Sequence, residues 1–313
     1  MTIDFGAHLF PRETYPDAFV GSEIESLLGD QLSDVDGLLT MYERAGIDRA
    51  VLSQPYFMGS ADATVAAASN DALLDVVEDT DRLYGLAAIP TQAGGEVAAA
   101  EFERALDKGF NGGALETTSG GINLDDKILE PVFEVADQTG APLLVHPKLD
   151  ESLHPDALDD EYLLNATFGR EVALAASICR VIHTGLLDRY PGLQLIYHHL
   201  GGNIAVMMGR IRLQLDEGRW PGQDHVKTIE EFEAQLRERI YVDTAGFFGD
   251  RTALEAALDV FPASNVVFGT DYPYEPRSDR ELAELVTAVS DVTSTSQEAT
   301  VLEESARALL VNT

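Results

Sequence analysis

Apolar positions along the chain follow two periods that alternate from one end to the other. Short aliphatic and β-branched runs lie at about 2–7 (TIDFGA), 49–54 (RAVLSQ), 84–89 (YGLAAI), 112–116 (GGALE), 142–146 (PLLVH), 193–198 (LQLIYH), 240–244 (IYVDT) and 265–270 (NVVFGT). Their length and composition predict eight β-strands. Between them, apolar residues recur at spacings of three and four over 34–45, about 61–77, 95–108, 126–138, 171–188, 203–215, 251–261 and 279–290, the signature of amphipathic helices. Gly46, Gly109 and Gly140 stand just past three of these segments, where a left-handed residue turns the chain back toward a strand. Ser33 and Thr228 are the expected N-caps, and Glu231 completes a capping-box pattern with Thr228.

Strict strand–helix alternation implies a parallel sheet with right-handed crossovers. An open doubly wound sheet needs a phosphate-binding glycine loop after an early strand, and neither G-x-G-x-x-G nor G-x-x-x-x-G-K-[ST] occurs. The predicted fold is therefore a closed α/β (β/α)8 TIM barrel. It carries an extended loop after strand one (about 9–32), a helical insertion before strand seven (about 216–238) and a final helix over 297–310. Without repeats, low-complexity tracts or linker composition, residues 1–313 read as one domain.

Charge narrows the function classes. The chain of 313 residues has 21 Lys plus Arg against 54 Asp plus Glu, a net charge of −33. Such a surface repels nucleic acid and anionic membrane as main partners and leaves a small molecule as the expected one. Lysine is confined to Lys108, Lys127, Lys148 and Lys227. That balance fits a halophilic, haloarchaeal-type protein kept soluble in concentrated salt by screening. Cys179 is the only cysteine, so no disulfide forms within the chain. The opening Met1-Thr2-Ile3-Asp4-Phe5-Gly6 has neither a basic n-region nor an apolar h-region, and no membrane-length apolar run follows. A cytoplasmic location is expected.

In a (β/α)8 barrel, chemistry is placed at the carboxyl ends of the strands. There the chain puts His8 (strand one), His146 (strand five), His198 and His199 (strand six) and Asp271 (strand eight). The whole chain has only 7 histidines, so four of them at these ends is the signal. Imidazole and carboxylate converging from separate strands suit one divalent metal ion, Zn²⁺ first, with Mn²⁺ or Fe²⁺ as alternatives. Such an ion acidifies water and polarises a carbonyl or carboxylate, while a neighbouring histidine moves the proton.

These residues sit in segments that resemble the amidohydrolase superfamily. The likeness is to the amidohydrolase-related branch with aminocarboxymuconate semialdehyde decarboxylase and γ-resorcylate decarboxylase. The segments are I-D-F-G-A-H-L-F-P (3–11), A-P-L-L-V-H-P (141–147), T-G-L-L-D-R-Y-P-G-L-Q-L-I-Y-H-H-L-G-G (184–202) with G-R-I (209–211), and V-V-F-G-T-D-Y-P (266–273). The resemblance implies that His8, His146 and Asp271 are metal ligands, with His199 and Asp271 catalytic and His199 the proton-transfer residue. It implies a mononuclear metal-dependent hydrolase or decarboxylase acting on a small organic acid or carbonyl compound, and it is compatible with a homodimer. One metal rather than two is expected, because 112–118 lacks the lysine of two-metal members; Glu116 stands near that strand end.

The chain departs from the pattern at residue 6, where glycine replaces the first histidine of H-x-H. Period-2 alternation predicts Asp4, Gly6 and His8 on one face, so the missing ligand leaves a gap inside the barrel. The alternative reading is a metal-free barrel, a pseudoenzyme kept as a binding protein. Alternation also predicts His198 on the face opposite His199. For substrate, Arg12 is a candidate for a carboxylate, and Tyr56, Phe57, Tyr272 and Tyr274 for a flat ring; Lys148 is a further anion candidate. His154, His183 and His225 read as structural or solvated. The charge balance predicts loss of structure at low ionic strength: the melting temperature should rise steeply from low salt to molar KCl, and an unchanged curve would remove the halophile reading.

Overall fold

The aliphatic runs form eight strands: Ile3–His8, Arg49–Ser53, Leu83–Ala88, Gly112–Glu116, Leu143–His146, Leu195–Tyr197, Ile240–Asp243 and Val266–Val267, here numbered one to eight. The computed structural model describes residues 1–16, 19–148, 154, 158 and 161–312. Each strand pairs in parallel with the next in chain order. Strand one meets the eighth through backbone bonds instead of a regular ladder. Phe5 N–H donates to the Phe268 carbonyl (2.7 Å), Asp271 N–H to Gly6 (2.8 Å) and His8 N–H to Tyr272 (2.8 Å). These bonds close the barrel as the alternation predicts.

Packing divides the strand residues into two layers. Ile3, Phe5, Val51, Leu86, Leu144, Ile196 and Val267 fill the barrel interior, whereas Leu52, Ala87, Leu115, Val145 and Tyr197 face the surrounding helices. All are buried, which makes each barrel face an apolar surface. The phase slips once. The pairing of strand one with strand two is irregular between Asp4 and Ala7, so Phe5 and His8 face inward while Asp4 and Ala7 face the helices. A bulge of this kind shifts side-chain phase by one residue, and it overturns the expectation that Asp4, Gly6 and His8 share a face.

The helix ends follow the expected chemistry with one shift. Gly46, Gly109 and Gly140 take left-handed conformations at three C-termini, and Thr228 with Glu231 forms a reciprocal capping box on Ile229–Arg239 in the insertion. The helix Val35–Ala45 is capped by Asp34, which accepts from Gly37 N–H at 2.9 Å, so the expected cap at Ser33 is displaced by one residue. The segment 171–188 is two helices, Arg170–His183 and Leu186–Arg189, because Gly185 turns left-handed between them. A short helix Glu23–Leu28 and a ribbon pairing Thr118–Ser119 with Ile122–Asn123 had no clear sequence signal. No helix among the described residues is long and apolar enough to cross a membrane.

Asp4 ties the bulge to its surroundings. Its buried carboxylate accepts from the Tyr42 hydroxyl on Val35–Ala45, from Thr270 Oγ1 (2.5 Å), from Thr270 N–H (3.1 Å) and from Gly6 N–H (3.0 Å). Burial pushes its pKa up to about 6, with those hydrogen bonds only partly opposing the rise. A raised carboxyl contributes stability that is complete below the unfolded value of 3.8 and fades as pH rises through about 6. Asp4→Asn lacks this titration. The stability gap between wild type and Asp4→Asn should narrow from pH 4.5 to 7.5, by up to ~2 kcal/mol. Chemical denaturation at fixed salt measures the gap, and a gap independent of pH would refute this origin.

Candidate functional site

Above the inner apolar layer, the next inward positions are ionisable. On strand five Leu144 is followed two residues on by His146, on strand six Ile196 by His198, and on strand seven Tyr241 by Asp243. On strand one the bulge delivers His8, and past strand eight Asp271 turns inward with a positive φ of 56°. Left-handed backbone at a non-glycine residue costs free energy, and here it aims a carboxylate at the barrel axis.

His8, His146, His198 and Asp271 each offer one ligand atom, and these four atoms lie within 4.8 Å of one another. Donors ~2.1 Å from one shared ion stand about 3.4–4.2 Å apart, so only small adjustments would admit a metal. The ring of His146 is 5.2 Å from that of His8 and 4.8 Å from that of His198, centre to centre. The outer nitrogens are fixed: His146 Nδ1–H donates to the Pro147 carbonyl (2.5 Å), His198 Nδ1–H donates to Asp243, and His8 Nδ1 lies 2.9 Å from Ser53 Oγ. Each Nε2 is thereby left to face the centre, the tautomer pattern of metal-binding imidazoles. The donor set therefore fits one divalent ion of the N/O-binding kind.

Charges in this buried mouth lie close enough to shift one another. Burial would raise Asp271, but hydrogen bonds from His198 and His8, with the His199 imidazole close by, hold it well below the carboxylate range. Burial, reinforced by the neighbouring imidazoles of His198 and His8, drives His146 well down, so it is neutral and ready to ligate. His8 is lowered by burial, with Asp271 opposing. Burial also pushes His198 down, yet the Asp243 carboxylate dominates and lifts it to about 9.

His199 stands beside this group, its ring 4.3 Å from that of His198, with a φ of 53°. Its Nδ1 is 2.9 Å from Glu171 Oε1, and its buried Nε2 has no hydrogen-bond partner and lies 3.7 Å from Asp271 Oδ2. Burial opposes its charge, but Glu171 and Asp271 more than reverse this and hold it well above the usual histidine range. Gly246 makes the close approach possible, since a Cβ there would lie 2.2 Å from His199 Cγ. Glu275, lifted to about 7 by burial and by Asp271, accepts from Gly246 N–H at 3.2 Å.

Other expected positions separate from this cluster. Arg12 is exposed and paired with Asp30 at 2.7 Å, so the structure leaves it as a surface ion pair instead of a carboxylate anchor at the mouth. Tyr272 is fully buried in the barrel–helix layer against Tyr42, because an inward Asp271 sends its successor outward; it does not line the mouth. Tyr56 packs on Phe10 and Phe19, and Tyr274 stacks edge-on 5.6 Å from His8. Lys148 Nζ is 3.9 Å from Glu116 Oε2. His183 accepts from Lys227 N–H (3.2 Å), and His225 is exposed.

His198 was expected to point away, and the structure corrects this: it shares the inward parity of Ile196. Nor is there a gap at residue 6. An ideal Cβ on Gly6 would meet His198 Cε1 at 3.1 Å and Asp243 Oδ2 at 3.3 Å, so that space is filled. Asp243, Glu171 and Glu275 were missed. Asp243 ends a strand and was open to the same argument as Asp271, whereas nothing local marks Glu171 or Glu275.

Residues 3–310 match the amidohydrolase family. The chain is 29% identical over 300 residues to a γ-resorcylate decarboxylase of Polaromonas sp., covering 86% of each. It is 28% identical to a 2-amino-3-carboxymuconate-6-semialdehyde decarboxylase of Dictyostelium discoideum, covering 73% of this chain and 62% of that one. Among solved structures, a 2,6-dihydroxybenzoate decarboxylase from Rhizobium superposes with a TM-score of 0.85 at 24% identity over 98% of both chains. A dihydroxybenzoic acid decarboxylase from Polaromonas sp., with bound manganese and 2-nitroresorcinol, gives 0.84 at 24% identity over 98% of this chain and 96% of that one. At these identities the structural matches speak for the fold.

The Glu171 contact makes a spectroscopic prediction. In EDTA-treated protein, the His199 Cε1–H NMR signal should titrate well above the usual histidine range. In Glu171→Gln its pKa should fall by about one unit or more. An unmoved titration would show that Glu171 does not hold the proton on His199.

Proposed function

The chain belongs to the amidohydrolase family, and on that premise we propose that it is a metal-dependent carboxy-lyase that removes CO₂ from a small hydroxylated aromatic acid. The observation that supports this most is the meeting of four ligand atoms within 4.8 Å beside His199, whose buried Nε2 has no hydrogen-bond partner. His8, His146 and Asp271 hold the ion, with His198 alongside. Manganese, present in the Polaromonas neighbour, joins zinc as a candidate for it. When bound, the ion supplies a positive centre that binds and polarises an anionic oxygen substrate.

The residues account for the remaining steps. Buried imidazoles exclude water and give the acid's anionic groups a local positive site inside an acidic protein. Tyr274, edge-on to His8, offers an aromatic wall for a flat ring. His199 Nε2 carries the proton, and Glu171 on Nδ1 holds its ring in place. The proton moves from Nε2 to the ring carbon bearing the carboxylate. That carbon's bond to the carboxyl then breaks, its electron pair returns to the ring, and CO₂ leaves, so atoms and charge balance. Asp271 Oδ2, 3.7 Å from Nε2, stabilises the imidazolium before transfer.

The same side chains suit hydrolysis, with His199 or Asp271 accepting a proton from attacking water. A substrate panel separates the readings. Loss of hydroxybenzoate absorbance with stoichiometric CO₂ supports the carboxy-lyase; turnover of esters, lactones or amides alone favours the hydrolase; no turnover and no bound metal favours the pseudoenzyme. In the carboxy-lyase case, His199→Ala should lower kcat by about 10²-fold or more with metal content unchanged, whereas Asp271→Asn should lose both.

A further inference from the structure

Strand one carries no side chain at residue 6, and an additional histidine stands at residue 198 beside His199. In space these two features are one. The Gly6 Cβ position lies 3.1 Å from His198 Cε1, 3.3 Å from Asp243 Oδ2 and 3.3 Å from the Gly269 Cα. A Cβ on Gly269 would in turn stand 2.9 Å from Asp243 Cβ and 3.1 Å from its Cγ. Two glycines, on strand one and just past strand eight, thus bound a slot filled by the hydrogen-bonded pair of His198 and Asp243. Both members of the pair are fully buried.

Asp243 does more than fill space. Its Oδ2 takes the His198 Nδ1–H, while its Oδ1 accepts from His199 N–H (3.0 Å) and Ala245 N–H (3.1 Å). The carboxylate is therefore locked, and the ring it holds points Nε2 toward Asp271 Oδ1 at 3.5 Å. We propose that a metal ligand has been relocated between strands: His198 from strand six is the fourth protein ligand, occupying the room that glycine at residue 6 vacates, and Asp243 orients it. A side chain at residue 6 and an imidazole at residue 198 compete for this room, because the first carbon alone would stand 3.1 Å from the ring and a longer side chain would have to displace it. This inference rests on the metal-site reading above.

The test uses metal binding, not turnover. Purified protein is stripped with chelator, titrated with Mn²⁺ and followed by electron paramagnetic resonance of free Mn²⁺, with circular dichroism melts as the check on folding. Wild type should bind one ion per chain. His198→Ala should remain folded and bind at least ~10-fold more weakly, and Asp243→Asn should weaken binding in the same direction, as loss of an orienting partner does. Gly6→His alone should bind poorly or melt early. The double variant Gly6→His/His198→Ala, with one imidazole again in the slot, should recover affinity to within about tenfold of wild type. If wild type binds and His198→Ala binds equally well, the relocation is wrong and the metal site stands. A folded double variant that binds no better than His198→Ala also overturns it. If wild type itself binds no Mn²⁺ or Zn²⁺, the metal-site reading fails and the relocation falls with it.

Discussion

A buried, ionised Asp271 is the constraint from which the rest of the mouth follows. A carboxylate away from water is tolerated only if its lone pairs are met. His8 and His198 meet them, His199 stands 3.7 Å away, and each imidazole then needs a partner of its own. Ser53, Asp243 and Glu171 supply those partners from strands two and seven and from the helix Arg170–His183. The shell is thus built outward from one charge, and it leaves the inner nitrogens converging. The left-handed backbone at Asp271 and at His199, about 1–3 kcal/mol each, persists because this network holds both residues in place.

Barrel closure and site assembly are the same event. The bonds joining strand one to the eighth involve Phe5, Gly6 and His8 on one side and Phe268, Asp271 and Tyr272 on the other. Closing the cylinder therefore sets His8 against Asp271. The bulge at this seam has an outward product as well, the Asp4 carboxylate bound by Tyr42 and Thr270. One irregularity in pairing serves both layers: an acid goes to the helix side and a histidine to the mouth.

Electrostatics at long and short range oppose each other. A net charge of −33 repels an organic anion at a distance, although salt confines that field to ~10 Å at 0.1 M. Inside the mouth the carboxylates of Asp243, Glu171 and Asp271 are spent on histidines, which they keep protonated or oriented. Recognition of an acid would then rest on this local group of cations and not on the surface.

The sequence by itself determined the architecture and most of the chemistry-bearing positions. Eight aliphatic runs alternating with helical periods leave a parallel barrel as the consistent packing, and glycine caps and the Thr228 capping box mark ends through local backbone chemistry alone. Ionisable residues at strand ends marked His8, His146 and Asp271, because strand ends are local features. Tertiary structure decided what depends on phase and distance. The bulge between Asp4 and Ala7 reset which residues face inward, and no alternation rule sees a bulge. His198 points inward because Ile196 does, yet its strand is apolar on both faces and carries no phase in its sequence. Tyr272 turned outward for the matching reason. Glu171 reaches His199 across 28 residues and Asp243 reaches His198 across 45, and Arg12 found Asp30 on its own loop. Such pairings are set by how the cylinder closes, and one-dimensional spacing holds no record of that.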